Sequence, residues 1–371
     1  MWSMTSVVKE TGSRFDRVSR ISRISRISRI ITEGWLQYVC ELSQQFAEIN
    51  CSVTKDVRQE ILSVLIRTMQ SIYWTGRLFS RAIWNGISNY SACAEPNLSK
   101  RREASFVSAV CGFPKDFARG RIRKGQFGDD AWFSAKFKTV EVIGVADGVG
   151  GWRHYGIDPG EFSSFLMRTC ERLVSMGRFT PSEPAGLLAR SYYELLENKQ
   201  PIIGSSTACV IVLNKETSSI YAANIGDSGF VVVRRGEVVH RSSEQQHYFN
   251  TPFQLSLPPP GHSSRVLSDS PESADTSSFG VEDGDVILLA TDGVFDNVPD
   301  QLLVTEMRKV QGERDPTKIQ GVANSIAWMA RSLAFDGAFM SPFAQSAREN
   351  GIDAIGGKPD DITVLLATVA I

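Results

Sequence analysis

Short apolar segments separated by turn residues dominate the chain from about residue 104 onward. Eight of these segments are rich in valine, isoleucine, alanine and aromatic side chains, which favour β-strands. The predicted strands are 106–111, 131–137, 140–146, 207–213, 219–224, 230–234, 286–291 and 362–369. Residues 215–218 and 235–237 have the composition of hairpin turns.

Four longer segments lie between these strands and predict helices, at 159–176, 184–198, 300–310 and 317–334. The first two begin with proline, which suits the first turn of a helix because the amide there has no intrahelical partner. Strand pairs joined by short turns, together with grouped helices, predict an α+β domain in which antiparallel sheets carry helices on their outer faces. Residues 256–278 are rich in proline and serine and predict a surface loop.

The first residues of the chain have a different pattern, in which arginine recurs at every third position from Arg14 to Arg29. A stretch that is rich in arginine and serine and poor in acids is typical of an organelle transit peptide. We therefore predict a mitochondrial transit peptide at 1–34. A basic low-complexity tail is the alternative, because a three-residue period drifts by about 60° per repeat around a helix.

Residues 35–103 predict a helical or weakly ordered extension followed by a linker. Apolar residues recur at helical spacing between 36 and 72, and proline, asparagine and a basic cluster follow near residue 100. No catalytic constellation is visible in this segment. The predicted catalytic domain is therefore 104–371.

Composition and charge exclude several classes of function. The net charge is −1, but residues 1–31 carry +5 and residues 100–124 carry +6, so the rest of the chain is acidic. This acidic character argues against a general nucleic-acid binder. No apolar run reaches 18 residues, so no transmembrane helix is predicted. The six cysteines lack C-x-x-C spacing, which argues against structural zinc and a disulfide framework and favours a reducing compartment.

Aspartates recur in short motifs near the ends of predicted strands, at 128–131, 146–151, 226–229, 291–297 and 359–363. If these carboxylates converge they repel, because two unit charges ~5 Å apart cost roughly 3 kcal/mol at an effective dielectric constant of about 20. Several of them cannot stay ionised together without cations. Oxygen ligands without histidine or cysteine match Mg²⁺ and Mn²⁺, so the sequence predicts a divalent metal cluster. Taken singly, Asp227 and Asp361 have a simpler interpretation as turn residues.

The order of these motifs resembles that of the PP2C-type metal-dependent protein serine/threonine phosphatases. The motifs are Asp-Asp-Ala, Ala-Asp-Gly-Val-Gly-Gly, Gly-Ser-Ser-Thr-Ala, Ala-Asn-Ile-Gly-Asp-Ser-Gly, Thr-Asp-Gly-Val-Phe-Asp-Asn and Pro-Asp-Asp-Ile-Thr. Residues 240–255 are similar to the PTC7-type branch, whose members are mitochondrial matrix phosphatases. The resemblance covers residues 104–371.

This resemblance implies a PP2C-like four-layer α-β-β-α sandwich of two antiparallel sheets flanked by helices, with two Mn²⁺ or Mg²⁺ ions between the sheets at one edge. It implies that Asp147 bridges both ions, that the Gly148 carbonyl binds one, and that further ligands complete the other. The resemblance assigns Asp292 and Asp360 as these further ligands, and Asp129 and Asp130 as holders of metal-bound water. It assigns Asp227 and Asp296, together with Asp292, to a third metal site.

The implied reaction is hydrolysis of phosphoserine and phosphothreonine by a metal-activated hydroxide, without a phosphoenzyme. The resemblance also implies a location in the mitochondrial matrix, with phosphorylated proteins of the matrix as partners. Asp129 stands where many family members have glutamate. Val149 stands where some have a histidine general acid, with His154 nearby. Gly125 takes the place of a phosphate-gripping arginine, which leaves Arg123 and Lys124 as weak candidates.

Two alternative functions remain open at this point. The same fold also occurs in pseudophosphatases that bind partners, but the complete ligand set favours an active enzyme. A metal-dependent hydrolase that acts on a small phosphate ester is the other alternative. The sequence assigns neither a physiological substrate nor an oligomeric state.

Overall fold

A five-stranded antiparallel sheet forms one half of the computed structural model, which describes residues 103–116, 122–261 and 266–371. The predicted segments 1–34 and 35–103 lie outside these ranges except for residue 103. The spatial order of the sheet is β1 (Ser105–Phe113), β16 (Ile362–Ala370), β15 (Val286–Ala290), β9 (Gly229–Arg234) and β10 (Glu237–Arg241). β1 and β16 pair along their whole length, so segments from the two ends of the domain are adjacent.

A seven-stranded antiparallel sheet forms the other half. Its spatial order is β14 (Asp275–Gly280), β8 (Ser219–Ile225), β7 (Ala208–Asn214), β5 (Val140–Asp147), β4 (Asp130–Phe137), β3 (Gln126–Phe127) and β2 (Ile122–Arg123). Two short pairs accompany it, β6 (Gly204–Ser206) with β13 (Leu255–Leu257) and β11 (Gln246–Tyr248) with β12 (Thr251–Pro252).

Six α-helices flank the sheets in the described residues. They are α1 (Pro159–Ser175), α2 (Pro184–Leu196), α3 (Asp292–Phe295), α4 (Asp300–Arg308), α5 (Pro316–Ala334) and α6 (Pro342–Glu349). The side chains of Asp158, Asp315 and Ser341 cap α1, α5 and α6 by accepting a backbone N–H of the first turn, and a proline follows each of these caps.

Three apolar clusters fix the order of the layers. The first joins α1 and α2 to the seven-stranded sheet, the second joins α4 and α5 to the five-stranded sheet, and the third lies between the sheets. β5 has no polar side chain between residues 142 and 146, because both of its faces are covered: Val142 faces the first cluster and its neighbour Ile143 faces the third. The predicted four-layer α-β-β-α sandwich is confirmed.

All twelve predicted strands and helices occur within two residues of their predicted bounds, but ten further strands and α-helices of the described residues were not predicted. β10 and α6 were not predicted, and the predicted loop at 256–278 is wrong at both ends, where β13 and β14 lie. β14 is an edge strand whose serines, threonine and aspartate alternate between half-buried and exposed positions, so it lacks an apolar signal. Among the described residues, no helix combines the length and the apolar character needed to cross a membrane.

Candidate metal centre

The strand pair β4–β5 places two carboxylates side by side at one end of the seven-stranded sheet. Asp147 is the last residue of β5, and the register pairs it with Asp130, the first residue of β4. Directly paired residues project from the same face of a sheet, so these side chains are neighbours. Asp130 is fully buried, and its Oδ2 atom accepts hydrogen bonds from the hydroxyls of Thr291 (2.7 Å) and Thr363 (2.8 Å). Asp130 therefore links the two sheets.

Gly148 occupies a position that only glycine fits without displacing the backbone. A Cβ atom there would lie 2.5 Å from the backbone carbonyl oxygen of the first residue of α1. Asp147 and Val149, on either side of Gly148, make the backbone hydrogen bonds that join this segment to β6 and to the residue after β6. The Gly148 carbonyl is thus left out of this ladder and is available as a metal ligand.

Asp292 and Asp360 reach the same edge from the five-stranded sheet. β15 ends at Ala290, α3 begins with Asp292, and Asp360 precedes β16 by two residues. The pairing of Ala290 with Val364, at the ends of β15 and β16, holds the two acidic segments together. Aspartates that are far apart in the chain therefore become neighbours because their strands end at a common edge.

Carboxylate oxygens from three separate segments meet at this edge. One oxygen atom each of Asp147, Asp227 and Asp292 lies within 4.8 Å of the other two. Asp227 comes from the tight connection between β8 and β9, where Gly226 adopts a φ of 103° that favours glycine. The structure thus brings aspartates of all five predicted motifs together, because the Asp147 carboxyl interacts electrostatically with those of Asp130, Asp227, Asp292 and Asp360.

Burial and mutual repulsion raise the pKa values of these carboxyl groups. The pKa values of Asp130, Asp147 and Asp227 lie well above the ordinary value, with burial as the largest cause and neighbouring carboxylates next. Burial also raises the pKa of Asp296 to about 7 and that of Asp360 to about 6. A cation among these groups would lower all of these pKa values, so the arrangement favours cation binding.

Several carboxylate oxygens of the cluster lack a protein partner. In the described part of the chain, one oxygen atom of each of Asp130, Asp227 and Asp292 is buried without a hydrogen bond. An unsatisfied buried acceptor costs about 1–3 kcal/mol, and more when the group is charged. Carboxylate and carbonyl oxygens are the ligands that Mg²⁺ and Mn²⁺ prefer. The residues present therefore fit a divalent metal centre.

Asp129 differs from its neighbour Asp130 because an arginine holds it. Its carboxylate accepts hydrogen bonds from Nε of Arg153 at 3.0 Å and from the terminal Nη2 of the same side chain. Burial raises the pKa of Asp129, and the guanidinium of Arg153 opposes that rise. Sequence reasoning did not identify Arg153, which lies in the short 3₁₀ helix Gly150–Tyr155. The role of Asp129 as a holder of water stays a prediction.

Asp361 connects three backbone segments through its carboxylate. Its two carboxylate oxygens accept backbone hydrogen bonds from Lys115 (2.5 Å) and Asp129 (2.7 Å), which ties the segment before β16 to those after β1 and β3. Gly128 packs directly against this carboxylate, and a Cβ atom at that position would overlap it. Asp361 thus fixes the backbone of the acidic pair at 129–130.

Lys358 is a second residue of the centre that the sequence alone did not identify. Its Nζ atom donates hydrogen bonds of 2.6 Å to both Asp292 and Asp296 and lies 3.7 Å from Asp360. Burial lowers the pKa of Lys358, but the three carboxylates outweigh it and raise the pKa well above its ordinary value. The only signal in the sequence was its place two residues before Asp360.

Two predicted phosphate-binding residues lie near the entry to β3. Lys124 is exposed, and the side chain of Arg123 lies outside the described residues. Val149 is partly exposed and His154 is exposed, so neither gains a role from its contacts.

Cys111, Cys170 and Cys209 are free and buried, and burial raises their pKa values, which makes them poor nucleophiles.

Comparisons with known proteins agree with the resemblance. The family profile described as Protein phosphatase 2C matches residues 118–320. Protein phosphatase PTC7 homologs of Danio rerio and Homo sapiens are 56% and 55% identical to the chain, and each match covers 81% of this chain and 99% of the relative. The X-ray structure of the photosystem II phosphatase PBCP matches with a TM-score of 0.59 and 28% identity, over 71% of this chain and 98% of that chain. The chain therefore belongs to the protein phosphatase 2C family of metal-dependent protein serine/threonine phosphatases, in its PTC7-type branch.

Proposed function

We propose that this phosphatase hydrolyses phosphoserine and phosphothreonine at a centre for two divalent cations, Mn²⁺ or Mg²⁺. The observation that carries the proposal is the convergence of carboxylates from both sheets, with buried oxygens that lack a protein partner. Such a cluster is costly in the absence of cations and becomes favourable when they bind.

The proposed ligands come from both sheets. Asp147, the Gly148 carbonyl, Asp292 and Asp360 would hold the two ions. Bound Mn²⁺ or Mg²⁺ supplies a hydroxide nucleophile near neutral pH and stabilises the negative charge of the transferring phosphoryl group.

The protein contributes orientation through Asp130. The hydroxyls of Thr291 and Thr363 both bond to its Oδ2 atom, which fixes the plane of the carboxylate. Its Oδ1 atom is buried and has no partner among the described residues. We assign to Oδ1 the task of accepting a hydrogen bond from the attacking water, which holds that water in line with the phosphorus.

The test is release of phosphate from a serine- or threonine-phosphorylated peptide by the full-length protein. We expect turnover with added Mn²⁺ or Mg²⁺ and none after chelation. Asp147→Asn should abolish turnover while circular dichroism shows a folded protein. Asp300→Asn is the matched control, because Asp300 is exposed and pairs with Arg241 outside the cluster.

Full activity of Asp147→Asn with ordinary metal dependence would refute the assignment. A panel of small phosphate esters, assayed in parallel, separates a protein phosphatase from a metabolite phosphatase. Folded wild-type protein that binds Mn²⁺ but hydrolyses neither substrate class indicates a pseudophosphatase.

We also propose that the protein acts on phosphoproteins of the mitochondrial matrix. The support is the basic, serine-rich leader at residues 1–34, which is typical of a matrix transit peptide. A fluorescent reporter fused to residues 1–103 should enter mitochondria. The same fusion with Arg20→Gln, Arg23→Gln, Arg26→Gln and Arg29→Gln should stay outside. A diffuse cytosolic signal from the unmodified fusion contradicts the localisation.

A further inference from the structure

Lys358 is packed against three carboxylates of the metal centre. Its Nζ atom lies 2.6 Å from Oδ2 of Asp292, 2.6 Å from Oδ2 of Asp296 and 3.7 Å from Oδ2 of Asp360. The side chain is only 18% exposed. A lysine in this position brings a positive charge directly beside the carboxylates of Asp292, Asp296 and Asp360.

The backbone of Lys358 is fixed by a fully buried asparagine. Asn297 accepts the backbone N–H of Lys358 on Oδ1 at 2.8 Å and donates Nδ2 to its carbonyl at 2.9 Å. A third bond, from the same Nδ2 to the Gly293 carbonyl at 3.0 Å, ties this pair to α3. The segment that carries the lysine is therefore built onto the helix that carries Asp292 and Asp296.

The end of the Lys358 side chain is also confined. Its Nζ atom lies 5.3 Å from the centre of the Phe343 ring on α6, within the range of a cation–π contact. The backbone N–H of Phe343 in turn donates to the carbonyl of Asp296 at 3.0 Å. The ammonium group is thus enclosed between an aromatic face and the carboxylates.

This location coincides with the third metal site that the family resemblance assigns to Asp227, Asp292 and Asp296. Lys358 already bonds two of those three carboxylates through its Nζ atom. A divalent ion that used the same oxygens would sit about 2.1 Å from them and hence within about 5 Å of the ammonium. The ammonium already occupies the space in front of the Oδ2 atoms of Asp292 and Asp296, so a third ion would have to displace it. Oδ1 of Asp292 has no hydrogen bond among the described residues and stays available to the two-ion centre.

We propose that the Lys358 ammonium takes the place of a third metal ion, so that the centre holds two divalent cations and one positive charge built into the chain. The proposal rests on the two-cation function above and adds a limit to it. The lysine supplies charge next to Asp292 at any cation concentration, whereas a loosely held third ion would dissociate at low concentration.

The experiment counts bound ions. Metal-free full-length protein is dialysed to equilibrium against Mn²⁺, and the ions bound per chain are measured by metal analysis and by the spin resonance of free Mn²⁺. We expect two ions in the wild type, two in Lys358→Arg, and three in Lys358→Met, which removes the charge but keeps most of the volume. Lys358→Gln is a second neutral variant, also expected to bind three.

The double variant Lys358→Met with Asp296→Asn returns the count to two, because it removes a ligand of the opened site. Three ions in the wild type overturn the proposal whatever the variants show, and so do two ions in both neutral variants. Fewer than two ions in a folded wild type contradict the two-cation function instead, so the two failures are distinguishable.

Discussion

The electrostatic cost of burying Asp296 in the metal-free centre can be measured from the pH dependence of stability. Its pKa is raised from the ordinary 3.8 to about 7, mainly by burial, and its side chain is 24% exposed. Unfolding returns the carboxyl group to its ordinary pKa. Between the two values the folded state therefore binds more protons than the unfolded state, and the free energy of unfolding of the metal-free protein falls as the pH rises.

The expected loss follows from the size of the pKa difference. With 1.36 kcal/mol per pKa unit, Asp296 alone lowers the free energy of unfolding by about 2.5 kcal/mol between about pH 5 and about pH 7.5. Asp360, raised to about 6, and Asp361, raised to about 7, add losses of the same sign. The Asp296→Asn variant has no ionisable group at this position. Between the two pH values it therefore loses about 2.5 kcal/mol less free energy of unfolding than the wild type does.

The assay is urea denaturation of chelator-treated protein at the two pH values, followed by tryptophan fluorescence. Asp300→Asn serves as the control, because Asp300 is 62% exposed and its ion pair contributes no more than about 1 kcal/mol. Saturating Mn²⁺ should flatten the pH dependence of the wild type, since cations favour the ionised carboxylates. Equal losses in the wild type and Asp296→Asn would refute the reasoning.

Three further substitutions test single contacts. Thr363→Val removes a donor to Asp130 and should lower the free energy of unfolding by about 1.5–3 kcal/mol in urea, with a smaller loss for Thr363→Ser; equal losses in both variants contradict the hydrogen bond. Gly148→Ala places a methyl group 2.5 Å from a carbonyl oxygen and should weaken Mn²⁺ binding in calorimetry as well as stability, by about 1–3 kcal/mol; wild-type behaviour excludes the close approach. Arg153→Gln leaves Asp129 without its ionic partner and should cost about 1–2 kcal/mol at neutral pH, less than a fully buried pair because Arg153 is 56% exposed. That loss should shrink as the pH falls and Asp129 takes up a proton, and a pH-independent loss in thermal unfolding points to packing instead.

The parts of the fold that the sequence predicts are those with an apolar signal. β5 and β15 are buried on both faces, so they appear as mostly apolar runs; β5 ends in an aspartate of the centre, and another follows β15 closely. β14 has no such signal, because it pairs through its backbone at a sheet edge and needs no apolar side chain. The order of the Asp motifs identifies the acids of the site for the same reason, since each motif marks the end of a strand.

The partners of those acids were not predictable, because they depend on contacts between distant segments. Lys358 is 66 residues from Asp292 in sequence, and no local pattern joins the two. Arg153 lies 24 residues from Asp129, beyond any helical or strand spacing. The sequence therefore predicts which carboxylates converge, and the packing of the two sheets decides which of them also receive a cationic side chain.

The pairing of β1 with β16 sets the order in which the domain can form. Ser105 bonds to Ala370 across 265 residues, and β16 lies between β1 and β15 inside its sheet. Such long-range pairing gives a high contact order and slow folding. Asp360 lies two residues before β16, so it joins Asp147 and Asp292 only when β16 has paired with its neighbours. We therefore expect a chain that lacks β16 to have no phosphatase activity.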